Sequence, residues 1–244
     1  MKGGNRLKEN LLNRKIYKEI KKYDREQMEN FLRTVYTEGY RIERISKQQA
    51  QDILSKFHYL SQQGFSFKSG FNYGLFYKDI LIGVAIYHTL SVPETAKGCF
   101  GLERTQQQGI YELGRLAVDP NYYKKNLTSW FLSRTIKMLK KETNVRAILS
   151  YADSDYHVGY IYQATNFKYY GLTAPKKDFW ILQEDGTYIK HQRGKIRGLQ
   201  GEWRPRSRKH RYLLIFDKQL KCKWKEQPYP KGNTKQKYNK GGIN

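Results

Sequence analysis

The chain has 244 residues, of which 39% are hydrophobic and 28% are charged, and its formal net charge at pH 7 is +24. This length fits one domain of about 200 residues with appendages, and no stretch approaches the roughly 20 apolar residues of a membrane-spanning helix. A charge of this size exceeds what solubility needs, so it favours a polyanionic partner, with nucleic acid as the first candidate.

Shifts in composition divide the chain into three parts. Residues 1–38 are rich in Lys, Arg and Glu, with apolar positions at rough helical spacing, which predicts a basic helical N-terminal extension. Residues 39–230 are predicted to form the main domain, including a basic, β-rich C-terminal segment. Residues 231–244 are mostly Lys, Asn and Gly with little to bury, which predicts a disordered basic tail.

The main domain alternates strand and helix patterns. Ser46 and Gln49 have the spacing of a capping box, which predicts a helix start. In chain order we expect a strand at 40–45, a helix ending near 57, a hairpin of strands 72–77 and 81–88, a loop at 90–109, a strand at 110–118, a helix at 127–140, a strand at 145–151, a helix at 156–165, a strand from 167, a second hairpin of strands 179–182 and 188–191, and a strand at 212–216. This order predicts an α/β fold, a mixed β-sheet covered by helices on both faces.

Chemistry-bearing residues concentrate at one strand-to-helix junction, in the segment 150–171. A β-branched and apolar strand delivers Asp153 just past its end, and a short helix follows that carries Tyr162. Asn166 stands where a helix commonly closes in the left-handed conformation, and Phe167 begins an aromatic strand. The spacing of Tyr162 and Phe167 resembles the closing signature of the GNAT acyltransferase fold.

A run of basic residues between 190 and 211 is interrupted by a single acid, Glu202. A solvated surface usually mixes both signs of charge, and the run lacks the amphipathic helix of a membrane-surface segment. We therefore predict that it binds nucleic acid. The predicted contacts are Arg204, Arg206, Arg208, Lys209 and Arg211.

The two cysteines, Cys99 and Cys222, lie far apart in the sequence and match no metal-ligand spacing. We interpret them as free thiols of a reducing compartment, which predicts a cytoplasmic setting.

Several long strings resemble the Mom family of bacteriophage DNA-modification proteins. They are FHYL at 57–60, FKSGFNYGLF at 67–76, YELGRL at 111–116, NLTSWF at 126–131, the segment 150–171, and GEWRPRSRKHRY at 201–212. The resemblance implies a GNAT-like fold. It also implies conversion of the N6 amine of adenine in DNA to a carbamoylmethylamine, which shields phage DNA from host restriction enzymes.

An enzyme that alkylates N6 must take the adenine out of its base pair, so base flipping is implied. The aromatic segment from Phe65 to Phe76 suits stacking on a flipped base, while a cation meets phosphate. We predict Lys68 and Tyr73 as DNA contacts there, and Trp203 as a further contact with base or sugar. The alternative for the aromatic residues is a strand packed into the core.

The predicted donor site departs from ordinary GNAT proteins. Those usually hold the coenzyme A pyrophosphate on a Gly-rich turn at a helix N-terminus, whereas the corresponding stretch, NYYKKNLTSW, has no glycine. Asn126 could cap the helix while the amides of Leu127, Thr128 and Ser129 face an anion. The alternative is an ordinary capped helix start.

Three residues are predicted to be catalytic. Asp153 could orient the N6 amine or remove its proton, with helix capping as the alternative. Tyr162 resembles the GNAT tyrosine that protonates the leaving group, with core packing as the alternative. His58 could act as a base, a base-edge contact or a metal ligand, or be structural. The resemblance supports iron as the metal, with Asp153, His58 and Tyr162 as ligands, but spacing does not predict such a site.

The donor and the function class stay open at this stage. Acetyl-CoA lacks the nitrogen of a carbamoylmethyl group, whereas a glycyl donor such as a charged tRNA supplies it, because a glycyl group on N6 is an isomer of the product. The rival functions are a GNAT acyltransferase acting on a protein or a small molecule, and a non-catalytic nucleic-acid-binding protein. The DNA sequence context is undetermined, as is the oligomeric state, for which a homodimer is one alternative.

Overall fold

The computed structural model describes residues 39–58, 67–122, 124–191 and 194–232. The predicted N-terminal extension 1–38 lies outside these residues, as does all but the start of the predicted tail. The helices are α1 (Lys47–Phe57), α2 (Glu94–Phe100), α3 (Leu127–Glu142) and α4 (Tyr160–Gln163). The strands are β1 (Tyr40–Arg44), β2 (Phe71–Tyr77), β3 (Ile80–Thr89), β4 (Ile110–Val118), β5 (Ala147–Asp153), β6 (Lys168–Leu172), β7 (Lys176–Leu182), β8 (Tyr188–Lys190), β9 (Gly201–Arg206) and β10 (Lys209–Ile215).

The strands form two sheets. The larger has seven strands in the order β1-β2-β3-β4-β5-β10-β6, and the smaller has three in the order β8-β7-β9. In the large sheet β4 and β5 are parallel, whereas β5 and β6 both run antiparallel to β10, which lies between them. The α/β fold with a mixed sheet is therefore confirmed.

Helices cover both faces of the large sheet. On one face the Tyr87 hydroxyl of β3 lies 2.8 Å from Thr135 Oγ1 of α3, so this is the α3 face. Strand register places Leu113 and Ser150 on the same face, because Leu113 pairs with both Tyr87 and Ser150. On the opposite, α2 face, Ala96 and Cys99 of α2 join a core cluster with Ala147 and Leu149 of β5.

The described chain forms two compact units. In the smaller one the structure describes residues 39–41 and 76–81, where the ring centroids of Tyr40 and Tyr77 are 5.0 Å apart and the Arg41 guanidinium lies 4.6 Å from the centroid of the Phe76 ring. The larger unit contains the remaining described residues and every candidate site residue that the structure describes. No helix among the residues described here is long and apolar enough to span a membrane.

Three predicted elements differ from the structure, and strand β9 was not predicted. The segment predicted as a loop, 90–109, contains α2 and a short 3₁₀ helix, and Gly101 ends α2 at φ 75°. The helix predicted at 156–165 is the single turn α4, because Gly159 is left-handed at φ 80° and a continuous right-handed helix cannot pass through it. Strand β5 extends to Asp153, so this residue ends the strand instead of following it.

The two cysteines, which are far apart in the sequence, are neighbours in space. Their sulfur atoms are 3.3 Å apart, although 123 residues separate them in the sequence. The pair joins α2 to the segment that follows β10.

Candidate active site

A gap between β4 and β5 forms the centre of the site. The parallel register covers only residues 110–113 and 147–150, although β4 continues to Val118 and β5 to Asp153. The two strands therefore separate at their carboxyl ends. In open α/β sheets this edge is where ligands commonly bind.

A β-bulge shapes the β4 side of the gap. The register between β3 and β4 shifts between Ile86 and Tyr87, which pair with Arg115 and Leu113, so Gly114 is the extra residue. A Cβ atom at Gly114 would lie 2.1 Å from Nε2 of His88. Glycine is therefore required here for the His88 ring to occupy its place beside β4.

Asp153 is almost fully enclosed and holds three hydrogen bonds. Its Oδ1 accepts from the Ser207 hydroxyl and, at 3.1 Å, from the backbone N–H of Asp155, while its Oδ2 accepts from the Lys209 ammonium. Burial alone would raise the pKa of Asp153, but the hydrogen bonds from Lys209 and Ser207 outweigh it and lower the pKa. Asp153 is thus ionised at neutral pH.

This environment favours one of the two roles predicted for Asp153. A carboxylate has about four acceptor positions, and the three donors leave one for a substrate N–H group. A group whose pKa lies far below the working pH is a weak proton acceptor. Asp153 is therefore better suited to orient an amine through a hydrogen bond than to remove its proton.

His58 follows α1 as its C-cap, where its backbone N–H donates to Leu54 O, and its side chain is buried. Burial is the main cause that lowers the pKa of His58 to about 3, and the charges of Arg115 and His157 lower it further. Burial also lowers the pKa of His157, against the influence of Asp153. His157 therefore influences the pKa of His58 and is itself influenced by Asp153, and the lowered pKa values favour the neutral form of both histidines.

We expect the fold to become less stable as the pH falls below 6.5. In that range the unfolded state binds a proton at His58, whose ordinary pKa is 6.5, whereas the folded state does not until about pH 3. Between pH 7.5 and 5.0 this residue should lower the free energy of unfolding by about 2 kcal/mol. Urea unfolding at both pH values measures this loss, which should be smaller in His58→Gln than in the wild type.

Tyr162 is buried on the α3 face of the large sheet. Its ring contacts Phe167 and Tyr212 at centroid distances of 5.6 and 5.1 Å, and its hydroxyl lies 3.4 Å from the Tyr151 carbonyl oxygen. Burial raises the pKa of Tyr162, against a hydrogen bond with Ser150 and the charge of Arg115. The hydroxyl therefore keeps its proton at neutral pH, which is the state that a general acid needs.

Asp153 and Tyr162 belong to opposite faces of the sheet. Asp153 shares the α2 face with Leu149, since side chains alternate along β5. Tyr162 lies on the α3 face, against Tyr212, which pairs with Ser150. The gap between β4 and β5 is the place where groups from the two faces can meet.

The predicted donor site, at the start of α3, differs in detail from expectation. Asn126 does not cap the helix with its side chain; instead its backbone is left-handed, at φ 66°. This conformation is one that glycine adopts readily and Asn tolerates. The Leu127 amide donates to Lys124 O, and the Ser129 hydroxyl donates to Asn126 O. The amides of Thr128 and Ser129 are first-turn amides, which lack a partner within a helix, so they are the two best placed to meet an anion.

The residues suspected of binding iron do not form a ligand set. Within the described ranges no group of three or more His, Cys, Asp and Glu side chains is arranged to hold a metal ion. The Asp153 carboxylate is bonded to Lys209 and Ser207, and Tyr162 lies on the other face of the sheet. The arrangement does not fit a metal centre made by Asp153, His58 and Tyr162.

The predicted DNA contacts fall into two groups. Arg204 and Arg206 lie on β9 of the small sheet and are partly or well exposed, although Arg204 pairs with Glu202 and Arg206 lies 3.8 Å from the Asp178 carboxylate. The other predicted contacts bind groups outside the small sheet: Arg208 Nε donates to Thr173 O, Lys209 binds Asp153, Arg211 Nη2 donates to Tyr170 O, and Lys68 Nζ donates to Thr89 O. Tyr73 is fully buried and donates to Glu142, so the structure places it in the core and not on a DNA-binding surface.

The sequence reasoning missed the role of Lys209 and Ser207 as partners of Asp153. Lys209 is 56 residues away in the sequence, and its position in a basic run made a DNA contact the simpler interpretation. The available signal was the apolar strand that follows, because a strand pairing with β5 in antiparallel register brings its first residue opposite Asp153.

These features define a GNAT-like α/β fold: a mixed sheet in which the parallel pair separates at its carboxyl end. The model of the Mom protein family matches residues 39–231, and the chain belongs to this family. No curated protein sequence matches the chain.

Solved structures of acetyltransferases are similar to the chain at low identity. The ribosomal-protein-S18-alanine N-acetyltransferase from Escherichia coli is 14% identical, with a TM-score of 0.44 over 75% of this chain and 99% of that one. An N-acetyltransferase from Staphylococcus aureus Mu50 is 14% identical, with a TM-score of 0.45 over 72% and 98%. A Bacillus subtilis acetyltransferase in complex with CoA is 15% identical, with a TM-score of 0.41 over 72% and 97%.

Proposed function

We propose that this protein is a transferase that converts the N6 amine of adenine in DNA to a carbamoylmethylamine and so protects phage DNA from host restriction in the host cytoplasm. The observation that carries the proposal is the environment of Asp153, an ionised carboxylate with one acceptor position left, beside a gap in the sheet of a Mom-family protein. An exocyclic amine is a donor that such an acceptor position can orient.

The charge of the chain supports DNA as the substrate. A formal charge of +24 gives a long-range attraction for polyanions. Adenine N6 is hydrogen-bonded inside a duplex, so the proposed reaction requires that the base leave the stack. The flipped adenine would present its N6 amine to Asp153 from the α2 face.

The test is a nucleoside digest of DNA from cells that produce the chain. We expect a modified adenosine whose mass matches the carbamoylmethyl group, and none in cells that produce Asp153→Ala. Unmodified adenine in the presence of folded, wild-type protein would contradict the proposal. If a protein or small molecule in the same cells were acylated instead, the protein would be an acyltransferase for that substrate.

The proposed donor carries an acyl group and is held by the amides of Thr128 and Ser129 on the α3 face. The proton that Tyr162 keeps can pass to the leaving group when the acyl bond breaks. Acetyl-CoA and a glycyl donor such as a charged tRNA differ in one nitrogen atom, which only the glycyl donor supplies. In the glycyl route N6 attacks the carbonyl carbon, the bond to the leaving group breaks, and the proton lost from N6 passes through solvent to restore the Tyr162 hydroxyl. Rearrangement of the glycyl adduct then gives the isomeric carbamoylmethyl group without loss of atoms.

Isotope labelling separates these donors. Cells are fed glycine labelled at nitrogen and at both carbons, and the modified nucleoside is weighed. Label in the side chain supports the glycyl route. Acetate label in its place, with no glycine label, overturns that route and leaves the proposed activity intact.

We expect the affinity for DNA to fall steeply with salt, because cationic side chains release counterions from the phosphates. Arg204→Ala combined with Arg206→Ala should flatten the slope of log K against log salt by about one to two units. Lys137→Ala combined with Lys141→Ala is the matched control, since it removes two charges from exposed positions toward the C-terminal end of α3. Equal slopes for the two double variants would place the DNA interface away from β9.

A further inference from the structure

The small sheet, which consists of β7, β8 and β9, has no side chain fully enclosed by protein. Of the residues described in these strands, each is either exposed or only partly buried. Three strands with two solvated faces bury little apolar surface and are marginally stable on that account. A partner that covers one face would therefore add burial that the chain itself does not provide.

The register gives the two faces different chemistry. Residues that pair across antiparallel strands share a face, so Asp178 with Arg204 and Trp180 with Lys190 define one face, which we call the Arg204 face. Phe179 with Trp203 and Ile181 with Ile189 define the other, which we call the Trp203 face.

The polar groups of the Arg204 face bind one another. The Arg204 guanidinium lies 4.4 Å from the ring centroid of Tyr188 and 4.9 Å from that of Trp180. The carboxylate of Asp178 pairs with Lys190 at 2.6 Å. The charged side chains of this face, Arg204 and Lys190 among them, are therefore engaged in contacts within the small sheet.

The Trp203 face is apolar and open. Trp203 is 53% exposed and Ile189 is 52% exposed, and the ring of Trp203 lies edge-on to Phe179 at a centroid distance of 5.4 Å. Lys177 of β7 and Pro205 of β9 share this face. The chain neighbours of Trp203, Glu202 and Arg204, lie on the opposite face, as does Arg206. The exposed indole therefore has the cation Lys177 on its own face and the cations of β9 on the other.

We propose that the Trp203 face stacks on nucleobases of a DNA strand that has been unpaired, and this rests on the proposed function, which makes DNA the substrate. The segment 176–206 contains eight Lys and Arg residues against four Asp and Glu residues, so its charge complements a phosphate backbone. A flat aromatic side chain amid cations is the combination that binds single-stranded nucleic acid without reading its sequence. When an adenine flips out, the bases next to it lose a stacking partner. The indole of Trp203 can stack on them in its place.

The test compares the affinity of variants for two DNA molecules by fluorescence anisotropy. One is a fully paired duplex, and the other is the same duplex with a short unpaired bubble. Trp203→Ala should weaken binding of the bubble by about 10-fold and binding of the duplex by much less, because stacking acts only on unpaired bases. Trp203→Phe should retain most of the affinity, and the salt slope should stay unchanged, since tryptophan carries no charge.

Val92→Ala is the matched control, because Val92 is 54% exposed and lies outside the small sheet. Circular dichroism and thermal unfolding confirm that each variant folds. An equal loss on both DNA molecules, or no loss on either, overturns the inference and leaves the Trp203 face to a protein partner.

The nucleoside digest distinguishes this failure from failure of the proposed function. If the wild type modifies adenine and Trp203→Ala binds the bubble normally, only the inference about the Trp203 face is wrong. If the wild type leaves adenine unmodified while Trp203→Ala loses the preference for the bubble, the Trp203 face binds DNA and the proposed reaction is wrong.

Discussion

Asp153→Ala is expected to lower the rate of adenine modification by about 100-fold, the size of effect that follows when a reacting group loses its orientation, while DNA binding stays near the wild-type value. The carboxylate is enclosed in the site and bound to Lys209, so it contributes little to the external charge that attracts DNA. The measurement is modified adenosine per unit of enzyme, with DNA affinity determined on the same preparation. Tyr162→Phe, which removes only the hydroxyl, should cause a comparable loss.

Two companion variants make this result interpretable. Asp155→Ala removes an exposed acid only two residues away and should leave activity unchanged. Asp153→Ala also leaves the partly buried Lys209 without its partner, which destabilises a fold. Combining Asp153→Ala with Lys209→Met removes both charges and should restore stability without restoring activity. Activity of Asp153→Ala equal to that of Asp155→Ala would remove Asp153 from the mechanism.

Gly159→Ala should destabilise the protein by about 2–5 kcal/mol, for two reasons that add. A left-handed conformation costs a residue with a Cβ atom about 1–2 kcal/mol, and Gly159 has φ +80°. Its Cβ would also lie 2.7 Å from Tyr212 Cε2 and 2.9 Å from Tyr162 Cδ2, and such overpacking costs about 1–3 kcal/mol. Urea unfolding at neutral pH measures the sum.

Gly186→Ala separates the two reasons. Gly186 has almost the same φ, +79°, but no atom lies within 4 Å of the position that its Cβ would take. This variant should therefore lose only the backbone contribution, about 1–2 kcal/mol. Similar losses in both variants would show that the rings of Tyr212 and Tyr162 move aside at little cost.

The parts of the fold that the sequence predicted are those set by local interactions. The capping box of Ser46 and Gln49 is present, and α1 follows it to Phe57 as expected. Asn166 is left-handed at φ 65°, and the second hairpin forms between β7 and β8. Each of these features depends on residues only a few positions apart, so its signal is contained in a short window of sequence.

The parts that the sequence did not predict depend on pairing between distant segments. Lys209, Arg211 and Tyr73 were predicted to contact DNA from their charge or aromatic character, but the fold supplies partners from elsewhere in the chain: Asp153, Tyr170 and Glu142. The sequence gives the number of cationic side chains. Which of them already bind groups within the folded chain depends on the tertiary structure.

The gap between β4 and β5 has a kinetic consequence for a transferase built on this sheet. Asp153 belongs to the α2 face, whereas Tyr162 and the start of α3 serve the other face. The acceptor and the donor would then enter by separate routes and meet only where the strands part. If the proposed function holds, neither would have to leave before the other could exchange, so a ternary complex would form in either order. One bound DNA molecule could then be modified at successive adenines while spent donor is replaced on the α3 face.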